Sequence, residues 1–189
     1  MERRSLFSRI FGTDNSSEIP QTATEVKVLD DSKAVFTPYK GDFHDDIDIR
    51  ACVDAIARNG AKMHPRHIRN FNGKMEDLKD NLYKLLAKQP NEIQDAYKFY
   101  YQVITNLELY NDSFVYIQRD KDLKVTGLYP LDFTEGKLYE FQGKLWVKFK
   151  FGRSKERFVP YDSCIHLTRF VGKDGLFGGS TLPIIKTLS

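Results

Sequence analysis

The chain is poor in several things, and each scarcity narrows what it encodes. Among 189 residues there are two cysteines, Cys52 and Cys164, far apart and each in an apolar pattern. They read as buried free thiols in a reducing cytosol rather than as a disulfide. No apolar run approaches the ~18 residues that a membrane span needs. The opening MERRSLFSRIFG holds too short and too interrupted an apolar stretch for the core of a secretion signal. No internal repeat is present. Charge of one sign is also scarce: 29 Lys and Arg against 26 Asp and Glu leave a net +3. The cations outnumber the carboxylates only after residue 110. That is too mild for a dedicated nucleic-acid binder, and it is compatible with a surface that lets polyanions pass. What is plentiful is aromatic and apolar residues, at 13% and 41% with fourteen Phe and ten Tyr, enough for a sizeable core.

Residues 2–11 have the pattern of a short amphipathic helix with Leu6, Ile10 and Phe11 on one side. Residues 1–44 otherwise read as an N-terminal arm, partly extended or disordered, with a strand at Glu25–Leu29. From Asp45 the period sharpens. Ile49, Cys52, Val53 and Ile56 predict an amphipathic helix that starts on aspartates and stops at Asn59-Gly60. Ala61–Arg69 reads as an edge or bulged strand because of Pro65, and Phe71-Asn72-Gly73 as a turn. Leu78, Leu82, Leu85 and Leu86 mark a second helix, ended by Gln89-Pro90. Asn91, with Gln94 three residues on, has the form of a capping box for a third helix running to Tyr110. After Asn111 the period changes from 3.6 to 2. Strands are expected at 114–118, 125–129, 137–141, 145–151, 157–159 and 163–167. A glycine-rich loop at 174–179 and a helix start at 181–188 follow. Helices first and strands after predict an α+β fold with a mostly antiparallel sheet.

The residue clusters that could carry chemistry have plainer readings. His44, Asp45, Asp46 and Asp48 lie at a helix start, where carboxylates offset the dipole, and no metal site is expected. His64 and His67 flank a proline and read as surface residues. Cys164 and His166 share one face of a short strand; a thiolate–imidazole couple would need a third orienting group and an exposed sulfur, so the pair reads as core packing and no catalytic residue is assigned. GKDGLFGGS at Gly172–Ser180 has the wrong spacing for a phosphate-binding loop and reads as a turn, with Ser180 or Thr181 capping the next helix. Along 145–157, Val147, Phe149 and Phe151 alternate with Trp146, Lys148 and Lys150, and Arg153, Lys155 and Arg157 follow. Lys148, Lys150, Arg153 and Lys155 are the candidate DNA-facing residues, on a face that would hold the backbone by charge.

Several segments together resemble the N-terminal part of tailed-bacteriophage portal proteins, the head–tail connector family. They are, in order, LFSRIFG; ACVDAIA at 51–57; the strand of Ala61–Ile68; LLAKQPN at 85–91; Phe99 in the following helix; LELYNDSFVYI at 107–117; Val125–Leu131; DSCIHL at 162–167; and DGLFGGSTL at 174–182. Asn111-Asp112-Ser113 departs from the family's Gly-Asn-Ala, and Ser180-Thr181-Leu182 from its Ser-Pro-Leu. The resemblance implies a portal wing-like domain over 45–189, truncated before the stem region, with no cofactor, metal or catalytic role. It implies a ring of copies, commonly twelve, at one capsid vertex of the virion, built in the host cytoplasm. Double-stranded DNA would pass through it, and capsid, terminase and neck or tail proteins would attach to it. The alternative reading is a stand-alone nucleic-acid-binding module using the basic sheet face.

Overall fold

The computed structural model describes residues 10–11, 24–25, 35–36, 47–152, 155–171 and 176–178. The fold is α+β, with the helices collected before most of the strands. Ile10 and Phe11 are helical. Two short strands follow, β1 (Thr24–Glu25) and β2 (Val35–Phe36), then helix α1 (Ile47–Gly60) and the pair β3 (His67–Phe71) and β4 (Lys74–Leu78). Helices α2 (Asn81–Ala87) and α3 (Ala96–Tyr110) lead into β5 (Asp112–Arg119) and β6 (Val125–Pro130). The chain then forms β7 (Glu135–Phe141), β8 (Lys144–Phe151) and β9 (Lys155–Pro160), a 3-10 turn at Tyr161–Ser163, and β10 (Cys164–Thr168). All strand pairs among the described residues are antiparallel. They make a β10-β5-β6 sheet, a β7-β8-β9 sheet extended by β1 and β2 on the free edge of β7, and the separate β3-β4 hairpin.

The core has two parts joined by β5. Phe114 on one face of β5 packs with Phe133, Leu138, Val147, Phe149 and Val159. Val115 on the other face packs with Phe99 and Val103 of α3 and Leu128 of β6. A strand buried on both faces is what its uninterrupted FVYI run predicts. Phe114, Phe133 and Phe149 meet edge to face, with ring centroids 4.8–5.5 Å apart, the arrangement aromatic quadrupoles favour.

The expectations for Cys52, for the strand over Ala61–Arg69 and for Asn91 need correction. Cys52 is exposed, not buried. α1 turns a narrow stripe inward around Ala57, which is fully buried, and Ile56 stays half exposed. A Cβ on Gly60 would strike Ile104, so glycine lets the end of α1 lie close against α3. The strand expected over Ala61–Arg69 begins only at His67, and β4 pairs with it across Asn72-Gly73. Both turn residues have positive φ (50° and 76°), the geometry that Asn-Gly supplies for a tight hairpin. Asn91 does not cap α3. Its Oδ1 accepts from Ile93 N and Gln94 N at 2.9 and 2.8 Å and closes a turn, while Asp95 caps the helix through Lys98 N at 2.8 Å. The described parts of the arm lie on the chain itself: β1 and β2 pair with β7, and Phe11 is buried against Tyr116 and Phe151. Val26–Leu29, residues 2–9 and the helix start at 181–188 lie outside the described residues.

Candidate functional site

Helix α3 ends at Asn111, whose backbone is left-handed (φ 60°), a conformation Asn adopts at modest cost. This turns the chain sharply into β5 and buries the Asp112 side chain completely. Asp112 Oδ1 lies 2.8 Å from His166 Nε2 on the neighbouring strand β10, and its Oδ2 accepts from Gly178 N at 2.8 Å. Thr168 Oγ1 is 3.1 Å from the same imidazole nitrogen, and Tyr161 Oη is 2.9 Å from the other, Nδ1. The His166 ring stacks on Phe114, centroids 3.9 Å apart and planes 13° from parallel. Gly178 is obligatory here. A Cβ would fall 2.5 Å from the backbone oxygen and Cβ of Asn111, and Asn111 O already accepts from Arg169 N at 2.8 Å.

The chemistry of this cluster is that of a joint. An imidazole that works as a general base keeps one nitrogen for its substrate. In His166 both nitrogens have partners within the chain, and the ring is almost wholly buried. Cys164, two residues away, is no nucleophile either: burial, with a smaller push from Asp162, raises its thiol to about 12, so it stays protonated. Among the described residues no three His, Cys, Asp or Glu side chains converge as metal ligands. His67 pairs with Asp80 at 3.0 Å, and His64 is exposed. Asp48 lies in the first turn of α1, while His44, Asp45 and Asp46 lie outside the described residues.

A second joint lies across α3. Pro90 O accepts from Leu128 N at 2.8 Å, and Asn91 Nδ2 donates to Leu128 O at 2.8 Å. The α2–α3 connection is thereby paired to β6 almost as another strand would be.

The basic sheet face is divided by the register. Lys148 and Lys150 of β8 do share the outer face with Trp146. Opposite them stand Lys137 and Glu135 on β7, and Phe158 and Glu156 on β9. Lys148 Nζ lies 2.7 Å from Glu156 and 5.4 Å from the Phe158 ring centre, and Lys137 Nζ lies 3.1 Å from Glu135. Three lysines thus meet two glutamates around a shallow pocket of about 190 Å3. Lys155 and Arg157 stand opposite Phe151 and Phe149, on the other side of the sheet. Arg157 donates to Phe11 O at 3.1 Å and covers that ring. Arg153 lies outside the described residues.

Residues 47–188 match the sequence model of the family described as phage portal protein. The chain belongs to the phage portal protein family. Its fold recurs in gene transfer agent (GTA) particles. A chain of the native GTA virion superposes with a TM-score of 0.59 at 16% identity, covering 77% of this chain and 38% of that one. A chain in the neck of the empty GTA particle, computed with C6 symmetry, gives 0.58 at 16% identity over 72% and 37%. A chain in the native neck, computed with C12 symmetry, gives 0.51 at 16% over 77% and 38%. The protein therefore spans a little over a third of the length of these GTA chains. No curated protein sequence matches it significantly.

The two joints gather the portal-like motifs in space. Segments 107–117, 162–167 and 174–182 meet at Asp112, His166 and Gly178. Segments 85–91 and 125–131 meet at Pro90, Asn91 and Leu128. What looked like scattered words in the sequence are the paired faces of two contacts.

Proposed function

We propose that the chain is the N-terminal, wing-like part of a portal subunit, a structural protein that assembles with copies of itself into a ring at one vertex of a phage or phage-like capsid. DNA would be packaged and ejected through the ring, and the packaging motor and then the neck or tail would attach to it. The family match across residues 47–188 carries this reading. The saturated Asp112–His166–Tyr161 cluster supports a role without bond-making chemistry. A wedge-shaped subunit that contacts its neighbour head to tail closes a ring when the rotation closes.

Where DNA meets this part of the subunit, the face with the charge to meet it is that of Lys137, Lys148 and Lys150. Glu135 and Glu156 dilute it, which suits passage, since a tight hold would stall the duplex. The same two glutamates weigh against a stand-alone nucleic-acid module. The protein expressed from its full open reading frame should give closed rings by native mass spectrometry and electron microscopy. A monomer at every concentration overturns the proposal.

A further inference from the structure

Among the described residues, the β3-β4 hairpin meets the rest of the fold at its base. Its strands pair, among the described residues, only with each other, and neither strand contains a buried residue. Toward its tip Phe71 is 60% exposed and Met75 73%. The base is anchored where His67 meets Asp80, the cap of α2. An isolated two-stranded hairpin is marginal in water, and one that displays large apolar side chains calls for a covering surface.

A receptive surface lies along the N-terminal half of α1. There α1 and α3 leave a groove of about 590 Å3, lined by Ile47, Arg50, Ala51, Val53, Tyr101 and Leu109 among others. Ile47 is 78% exposed at its rim. Thr105 Oγ1, buried in its wall, has no hydrogen-bond partner among the described residues. No hairpin residue lines this groove, so a hairpin does not fill the groove of its own chain. The charges are complementary. Residues 66–79 carry four Arg or Lys against two carboxylates, whereas the first half of α1, residues 47–54, carries Asp48 and Asp54 against Arg50; two hairpin arginines and Asp54 also have ion-pair partners within the chain.

We propose that the hairpin tip of one copy docks into the α1–α3 groove of the next, with Phe71 and Met75 as apolar anchors. The proposal rests on the ring reading above and names the surfaces that make the ring. Hairpin and groove belong to opposite ends of α1, one following Gly60 and the other lining Ile47–Asp54. A projection and a socket at different places on one protomer form a heterologous contact, which propagates around a ring instead of stopping at a pair.

The test is disulfide trapping in the protein expressed from its full open reading frame, with Cys52→Ser removing the exposed native thiol. Ala51→Cys in the groove combined with Met75→Cys near the tip should give, on mild oxidation, a ladder of covalent oligomers on a non-reducing gel. Either cysteine alone should not. In parallel, F71S/M75S should lower the yield of rings by about tenfold or more with an unchanged thermal melt, since both side chains are exposed. Rings that form normally in F71S/M75S, together with no ladder from the Ala51→Cys/Met75→Cys protein, overturn this contact and leave the ring reading standing. The same holds if those rings form but fail to join capsids, which would assign the hairpin to another partner. A wild-type protein that never leaves the monomer state overturns both.

Discussion

The hairpin and the β5–β10 junction are both antiparallel pairs, yet they are held by opposite means. At the junction, Asp112, Phe114 and Val115 are buried, and the polar groups of Asp112 and His166 find partners on three separate segments. In the hairpin, cohesion comes from an Asn-Gly turn and surface ion pairs, Arg69 with Glu76 at 2.9 Å and Arg66 with Asp77 at 3.5 Å. The first arrangement fixes a single geometry. The second leaves its apolar residues available for something else.

The sharpest way to break this contrast is at Asp112. Asp112→Ala leaves the Gly178 N–H without its acceptor and His166 Nε2 with Thr168 alone, in a buried site, and should cost about 2–4 kcal/mol in urea unfolding followed by Trp146 fluorescence. A loss below ~1 kcal/mol would mean the junction is held by apolar contacts alone. Next in size is the alkaline limb. Burial raises Cys164 from 9.0 to about 12, and is the main cause of upward shifts from 10.0 at Tyr100, Tyr110, Tyr116 and Tyr161. The unfolded chain releases these protons first. Stability should therefore be unaffected by these groups below pH 9 and fall as pH rises from 9 towards 12. In the native state a thiol reagent should label Cys52 at once and reach Cys164 only after denaturation; equal labelling would contradict the packing of β10. Gly178→Ala should cost about 1–3 kcal/mol, because the atoms it meets, Asn111 Cβ and the backbone oxygens of Asn111 and Arg169, cannot swing away. Smallest of all, Arg69→Ala on the exposed hairpin should change stability by less than about 0.5 kcal/mol. A larger loss would show that the hairpin is tied to the body after all.

The sequence was most legible where periodicity and burial coincide. α3 ends at Tyr110 as its apolar spacing predicts, and the switch to period 2 marks β5. It was least legible where partners are distant or absent. β4, KMEDL, shows no apolar alternation because neither of its faces is buried. Cys52 has the spacing of a core residue, but the contact with α3 is narrow enough to omit it. Asn91 and Asp95 are both good caps four residues apart, and only the structure shows which one starts the helix. The junction itself was invisible as a site. Asp112 and His166 are 54 residues apart, and a single histidine in a strand carries no sign of its partner. Only the likeness to portal motifs hinted that those two stretches belong together.

Phe11 adds a consequence for biogenesis. Its carbonyl is held by Arg157, 146 positions later, and its ring sits among side chains of β5 and β8. Ribosomes add roughly 5–20 residues per second, so this segment emerges several seconds before its seat exists. The nascent chain must keep an adhesive phenylalanine waiting until β9 has left the exit tunnel, which makes closure of this sheet a late event in synthesis.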